Sequence, residues 1–249
     1  MLDLTKKVII CDLDGTLAES KSAVSKEMVE VLCKILHRYF LVVVSGGAFH
    51  QFQKQFLSNF SCSSEVLTNL ILFPASGSTC YRYVDNQWQQ LYNEQLTEQE
   101  REKIKEAFKE AILRLKLDLS PTYGELLEDR DTQITFSGHG QDAPIEIKEK
   151  WDADQAKRRQ IMAILKELIP EFEIRIGGTT SIDVTRKGID KSYAIQKIKS
   201  MLGVKDEDII YIGDALYKGG NDASVKKTDV DFIQKDEPKE TMEFLQQYT

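Results

Sequence analysis

Cysteine, histidine and proline are all scarce in this chain. Four cysteines and three histidines in 249 residues, with no C-x-x-C pair among Cys11, Cys33, Cys62 and Cys80, leave no arrangement suited to a zinc site. The expectation is free buried thiols in a reducing cytoplasm. Five prolines and fourteen glycines exclude a collagen-like or linker-dominated chain. Long apolar runs are missing too. The run before Asp12 is short, so neither a signal peptide nor a transmembrane helix is predicted, and no membrane partner is expected. Basic excess is also absent: 33 Lys and Arg stand against 40 Asp and Glu, a net charge of −7, which gives no reason to expect nucleic acid as a partner. What remains, 41% hydrophobic and 29% charged residues, describes a globular chain able to bury a core.

Periodicity divides the chain into two patterns. Val8-Ile9-Ile10-Cys11, Leu41-Val42-Val43-Val44 and Leu70-Ile71-Leu72-Phe73 read as buried strands. Between them, Ser25 caps a helix with Met28, Val31, Leu32, Ile35 and Leu36 on one face, and Phe49, Phe52 and Phe56 recur at helical spacing. Strand, helix, strand, helix, strand is the pattern of a parallel sheet. Two further strands flank Asp85-Asn86, a hairpin signal. Thr97 and Glu100 then form a capping box ahead of a stripe of Ile104, Phe108, Ala111, Ile112 and Leu115. Strands near Glu125–Leu127 and Gln133–Phe136, a helix ending before Pro170, and a hairpin around Gly177-Gly178 suggest an antiparallel unit. From about residue 187 the first pattern returns, with a helix from Lys191 and a buried strand Ile209–Ile212. The expected fold is α/β, a Rossmann-like parallel-sheet core of residues 1–92 and 187–249 with an inserted α+β cap domain of residues 93–186.

The strongest chemical signal is Asp12-Leu13-Asp14-Gly15-Thr16, placed directly after a buried strand. Open α/β sheets put their sites at the carboxyl ends of strands, and residues two apart on an extended chain point to one side. Two carboxylates so close call for a cation or a function. One can attack phosphorus while the other moves a proton. A second acidic stretch, Gly213-Asp214 through Asn221-Asp222, also follows a buried strand. Hard oxygen ligands at two strand ends suit Mg2+ as cofactor. Ser45, followed by Gly46-Gly47, offers a hydroxyl and free backbone N–H groups for a phosphate, although an ordinary helix cap would use the same residues. Lys191 can neutralise both the nucleophile and the phosphoryl group.

These motifs, in this order, resemble the haloacid dehalogenase superfamily of phosphotransferases. The resemblance implies that Asp12 is the nucleophile and Asp14 the general acid/base, and that Ser45 and Lys191 hold the phosphoryl group. The metal is then held by Asp214 and Asp222 with Asp12 and the backbone carbonyl of Asp14. Within the superfamily the chain is similar to eukaryotic-type phosphomannomutases. Gly177-Gly178-Thr179-Thr180-Ser181-Ile182-Asp183-Val184 matches their G-G-x-x-S-x-D-V segment, and Gly188-Ile189-Asp190-Lys191 is similar to their G-W-D-K. The family then implies that Ser181, Asp183 and Arg130 of the cap bind a sugar phosphate, and that a homodimer forms through the cap.

One departure matters. Where those mutases carry an arginine in an I-G-R stretch, Gly138-His139-Gly140-Gln141 places Gln141, or His139, at that position. A bisphosphate intermediate has to be held at both ends, and glutamine is no substitute for a bidentate guanidinium. The expectation is therefore a Mg-dependent phosphatase acting on a sugar phosphate through an aspartyl-phosphate, with phosphomannomutase as the alternative.

Overall fold

The structure is a computed structural model and describes residues 5–19, 22–177 and 179–249. Gly178, at one of the turns read from the sequence, lies outside the described residues. The chain divides into two compact units, residues 1–93 with 189–249 and residues 94–188.

The first unit is built on a seven-stranded sheet ordered β11-β10-β1-β2-β3-β4-β5. Strands β1 (Val8–Cys11), β2 (Phe40–Val44), β3 (Leu70–Phe73), β10 (Ile209–Gly213) and β11 (Asp231–Gln234) run parallel. The hairpin β4 (Thr79–Val84) and β5 (Gln87–Asn93) extends the sheet antiparallel. Its turn residues Asp85 and Asn86 both have positive φ, 51° and 62°, which matches the twist that a two-residue hairpin needs. Both faces of the sheet are covered, which is why β1, β3 and β10 are apolar at almost every position. On one face α1 (Lys26–Ile35) and α8 (Pro238–Leu245) pack over Ile9, Cys11, Leu41 and Val43. On the other, α7 (Lys191–Leu202) packs over Val8, Ile10, Val42 and Tyr211. Ser25 caps α1 by accepting from the Met28 amide at 3.1 Å. The phenylalanine stripe after β2 forms α2 (Phe49–Gln51), which continues through a widened turn at Phe52–Phe56.

Strand β1 is the pivot of this sheet. The chain proceeds from β1 to β2 and β3 on one side, and returns through β10 and β11 on the other. Such a reversal opens a crevice at the carboxyl ends of the two central strands. Asp12 follows β1 and Asp214 follows β10, so topology alone brings the two acidic motifs together.

The second unit is a four-stranded antiparallel sheet, ordered β6-β7-β9-β8, backed by α4 (Glu98–Leu115) and α6 (Ala156–Leu168). Its strands are β6 (Leu127–Asp129), β7 (Gln133–Ser137), β8 (Phe172–Gly177) and β9 (Ser181–Arg186). Strand β6 begins two residues later than the strand read near Glu125. A short helix, α5 (Ile145–Trp151), lies where the sequence showed no helical pattern; it has no side-chain cap. Ile134, Phe136, Ile174, Ile182 and Val184 face the helices, which leaves the other face of the sheet to polar side chains.

Two of the four thiols are not free. Cys33 on α1 and Cys62 form a disulfide across 29 residues, with Cα atoms 5.6 Å apart, whereas Cys11 and Cys80 are free and buried. The expectation of unpaired thiols throughout therefore fails, because the fold brings α1 against the segment ahead of α3 (Ser64–Leu67). No helix among the described residues is long and apolar enough to cross a membrane.

At the start of α4 the capping box is completed by a second role for Glu100. Its carboxylate accepts from the Thr97 amide at 2.7 Å and from Arg186 Nε and Nη2 at 3.0 and 2.6 Å, tying α4 to the end of β9. The Arg186 hydrogen bonds hold the carboxyl at about 2. A depressed carboxyl stabilises the fold above its unfolded value and loses that contribution as pH falls through the folded one. Glu100→Gln should therefore cost about 1–2 kcal/mol at pH 7 after discounting for partial exposure, and the difference should vanish as pH falls from about 5 toward 2. Urea melts of the two proteins across that range check it.

Candidate active site

Asp12 leaves β1 with its amide donating to the Ile212 carbonyl at 3.0 Å, so its backbone is clamped to β10. Its side chain is buried. Lys191, the first residue of α7, lies between two acids: Nζ is 2.6 Å from Asp12 Oδ1 and 2.5 Å from Asp222 Oδ1. All three side chains are at most 2% exposed. Asp190 puts the lysine there by capping α7, accepting from the Ser192 and Tyr193 amides at 2.9 and 3.2 Å.

The electrostatics follow from burial. Desolvation pushes the Asp12 carboxyl up to about 7, with Lys191 pulling it down and Asp222 pushing it up. Burial alone would lower the ammonium of Lys191, but Asp12 and Asp222 outweigh it, and the net direction is upward. Asp214, half-buried, is raised by desolvation and then by Asp222. The cluster therefore carries more negative charge than one lysine neutralises.

Oxygen atoms of Asp12, Asp214 and Asp222 lie within 4.8 Å of one another. Asp12 Oδ2 and Asp214 Oδ1 are buried and no donor reaches them. Buried carboxylate oxygens without donors are costly, and an oxygen-seeking divalent cation answers that deficit. The residues present thus fit a metal ion. Asp222 is the most committed of the three. Its Oδ1 accepts from Lys191 and from the Tyr211 hydroxyl, and its Oδ2 accepts from the Ala215 amide at 3.1 Å. It holds Lys191 and the loop after β10 in place, whatever else it binds.

The approach of the two motifs depends on Gly15. Its φ is +83°, and a Cβ there would stand 2.6 Å from Asp214 Oδ2. Asp14, two residues past Asp12, is half-buried, and its Oδ1 accepts from Gln55 Nε2 at 3.4 Å. Gln55 was missed in the sequence because it sits between Phe52 and Phe56 in an apolar stripe. Tyr211 was missed because it reads as one more buried strand residue. No pattern in the sequence distinguishes either.

Ser45 follows directly after β2, which pairs with β1 in the register Cys11↔Val43. It is buried, and its hydroxyl accepts from the Gly47 amide at 3.3 Å, so it organises the Gly46-Gly47 turn. Gly46 itself is exposed.

Four of the candidate residues belong to the second unit. Arg130 Nη2 donates to Glu128 Oε2 at 2.5 Å, and its Nε is buried without an acceptor. Asp183 Oδ1 accepts from the Thr135 hydroxyl at 2.8 Å, and Gln133 Nε2 donates to the same hydroxyl oxygen at 2.8 Å. Ser181 pairs across β9 and β7 with Ser137. Gln141 has its carbonyl taken by Lys148 Nζ at 2.6 Å, while its Nε2 is buried without a partner. His139 does different work. Its φ is 62° and its Nδ1 lies 3.0 Å from both the Leu119 and Pro121 carbonyls, which makes it a loop anchor.

The chain is similar to known proteins over most of its length. A family model described as haloacid dehalogenase-like hydrolase matches residues 9–224. A phosphomannomutase of Schizosaccharomyces pombe is 28% identical over 226 residues, covering 88% of this chain and 85% of the relative. A phosphomannomutase of Saccharomyces cerevisiae is 28% identical over 233 residues, covering 88% and 84%. Among solved structures, a haloacid dehalogenase-like hydrolase from Bacteroides thetaiotaomicron superposes with a TM-score of 0.66 at 17% identity, covering 98% of this chain and 100% of the other. An IMP-bound IMP-nucleotidase of Plasmodium falciparum superposes with 0.67 at 13% identity, covering 98% and 68%. At such identities the two structures speak to the fold alone.

Proposed function

Because the chain belongs to the haloacid dehalogenase-like hydrolase family of phosphoryl-transfer enzymes, we propose that it moves the phosphoryl group of a hexose phosphate through an aspartyl-phosphate on Asp12, as a mutase of the 1- and 6-phosphates ahead of simple hydrolysis. The observation that carries the chemistry is the buried Asp12 carboxylate, with one oxygen held by Lys191 and the other lacking any donor. The ordering of the two outcomes rests on the relatives. It reverses the preference for hydrolysis that Gln141 suggested from the sequence.

In this reading Asp12 attacks phosphorus in line with the departing sugar oxygen. Lys191 stabilises charge on the phosphoryl oxygens while staying anchored on Asp222. Asp14 gives a proton to the leaving oxygen and later takes one from the acceptor, a sugar hydroxyl in the mutase reaction or water in hydrolysis. Gln55 keeps the Asp14 carboxylate oriented between those events. Ser45 and the Gly46-Gly47 turn offer hydroxyl and amide donors to the phosphoryl group. Asp12, Asp214 and the Asp14 carbonyl, with Asp222 behind them, would hold Mg2+, which when bound supplies Lewis-acid neutralisation of the phosphoryl oxygens. Arg130, Gln141, Ser181 and Asp183 bind the part of the substrate remote from the reacting phosphorus. The buried, partnerless Arg130 Nε and Gln141 Nε2 support this, because such donors call for an acceptor on a ligand.

Hydrolysis stays as the second reading because Gln141 presents an amide where the mutases present a guanidinium, and His139 is bound to loop carbonyls. The test is product partitioning by phosphorus NMR from mannose 1-phosphate with magnesium and a hexose bisphosphate. Interconversion with the 6-phosphate should exceed phosphate release. Predominant release would make the second reading primary. No turnover of hexose phosphates in either direction would sink both.

A further inference from the structure

We propose that Ser76, in the loop between β3 and β4, is a substrate-binding residue of the catalytic crevice, and that its hydroxyl meets a sugar hydroxyl next to the phosphoryl group being transferred. This rests on the sugar-phosphate reading above and deepens it.

Three consecutive residues of this loop take left-handed conformations: φ is 48° at Ala75, 57° at Ser76 and 96° at Gly77. Glycine does this freely, whereas alanine and serine do it against the contact of Cβ with the backbone carbonyl. Such strain persists only where the surroundings impose it, and it concentrates at binding sites. Here the loop is held from three sides. The Ser76 amide donates to the Ser45 carbonyl at 2.8 Å and the Ala75 amide to the Gly47 carbonyl at 2.9 Å, which laces the loop to the turn after β2. The Tyr92 hydroxyl on β5 donates to the Gly77 carbonyl at 2.8 Å. Gly77 also lies against Ala194 on α7, three residues past Lys191; a Cβ on Gly77 would stand 2.8 Å from the Ala194 Cβ. Ser76 is thereby fixed relative to both Ser45 and the helix that carries Lys191.

Exposure singles out Ser76. Residues 70–75 and 77–80 are buried, and Ser76 between them is half-buried. The neighbouring hydroxyls are spent on the loop itself: Ser78 donates to the Ala75 carbonyl at 3.0 Å and Thr79 to the Pro74 carbonyl at 3.4 Å. The Ser76 hydroxyl lies instead beside the exposed Gly46, where a Cβ would stand 3.9 Å from Ser76 Oγ. Asp12, Lys191 and Ser45 are at most 3% exposed and form the floor of the crevice. Gly46 and Ser76 belong to its rim, next to the turn that offers donors to the phosphoryl group. A phosphoryl group seated on that floor leaves its ester oxygen, and whatever that oxygen carries, facing the rim. A polyol there offers both a donor and an acceptor to a serine hydroxyl, which an aryl leaving group does not.

The competing explanation is that the loop only turns the chain from β3 into the antiparallel β4. Two variants separate the readings. Ser76→Ala removes the hydroxyl and keeps the Cβ, while Ser76→Gly removes the hydroxyl together with the strain, so its backbone can keep the turn. Steady-state kinetics on the full chain with magnesium compare mannose 1-phosphate with p-nitrophenyl phosphate. In both variants the ratio of kcat/KM for the sugar phosphate to that for p-nitrophenyl phosphate should fall by about fivefold, chiefly through KM for the sugar phosphate, as for the loss of one neutral hydrogen bond. An unchanged ratio in Ser76→Gly would overturn the assignment: parent-like kinetics would leave the loop a simple turn, and equal losses on both substrates would move the hydroxyl to the phosphoryl group or to the fold. If the parent protein turns over no hexose phosphate, the sugar-phosphate reading itself is wrong and this inference falls with it. If the parent turns over hexose phosphate and Ser76→Gly matches it, only the inference falls.

Discussion

Asp12→Asn should lower turnover of every phosphate substrate by on the order of 10⁴-fold or more, while the protein stays folded. Asparagine keeps the shape and the strand-end position but cannot form the aspartyl-phosphate. Stability should hold because the parent carboxyl is costly where it lies. Burial raises it to about 7, so the folded protein binds the proton more tightly than the unfolded chain does. A carboxyl raised in this way contributes stability that is lost as pH climbs from its unfolded value toward the folded one. The metal-free parent should therefore lose stability between about pH 4 and 7 through this group, and the asparagine variant should lack that component. Single-turnover phosphate release with paired thermal melts measures both. Residual activity within tenfold of the parent would remove Asp12 from the role of nucleophile.

Lys191→Met should cut both stability and rate. The ammonium is the cation shared by two buried carboxylates, 2.6 Å from Asp12 and 2.5 Å from Asp222. Removing one partner of a buried ionic group typically costs about 3–5 kcal/mol, because the remaining charge stays desolvated. The loss should be greatest without metal at high pH and should shrink as pH falls, when Asp12 takes up a proton. Magnesium should restore part of it by supplying positive charge to the same oxygens. The turnover number should fall by about 10²–10³-fold even with saturating magnesium, since the phosphoryl group loses a fixed positive charge. Thermal melts with and without magnesium, and kcat under saturation, decide the matter. A variant that melts with the parent in chelator would show that Lys191 is not the neutralising group of this cluster.

The elements legible in the sequence were those with local causes. Ser25 and the Thr97–Glu100 pair announced two helices because capping is a contact over three residues. Asp85-Asn86 announced its hairpin because two positive-φ residues make that turn. Asp12 and Asp214 were legible because each follows an apolar run, and strand ends are where such sheets place their chemistry. The helix α5 was not legible, having no side-chain cap and carrying charges through its length. The β4–β5 hairpin was read as part of residues 1–92, and it extends the main sheet there, although its antiparallel pairing to β3 is not something a local pattern gives.

The order of the motifs and the identities of the acids were thus settled by the sequence itself, through interactions that span a few residues. The tertiary structure decided everything that depends on partners far apart in the chain. Lys191 meets Asp12 across 179 residues because β1 and β10 are neighbours and α7 is capped at Asp190. Tyr211 reaches Asp222, Gln55 reaches Asp14, and Cys33 reaches Cys62 for similar reasons of packing. Thr135 stands beside Asp183 because of strand register, and a slip of one residue would send it to the opposite face of the sheet. Periodicity reports which face a residue occupies, whereas the neighbour it meets there is set by how strands pair, which no local pattern encodes.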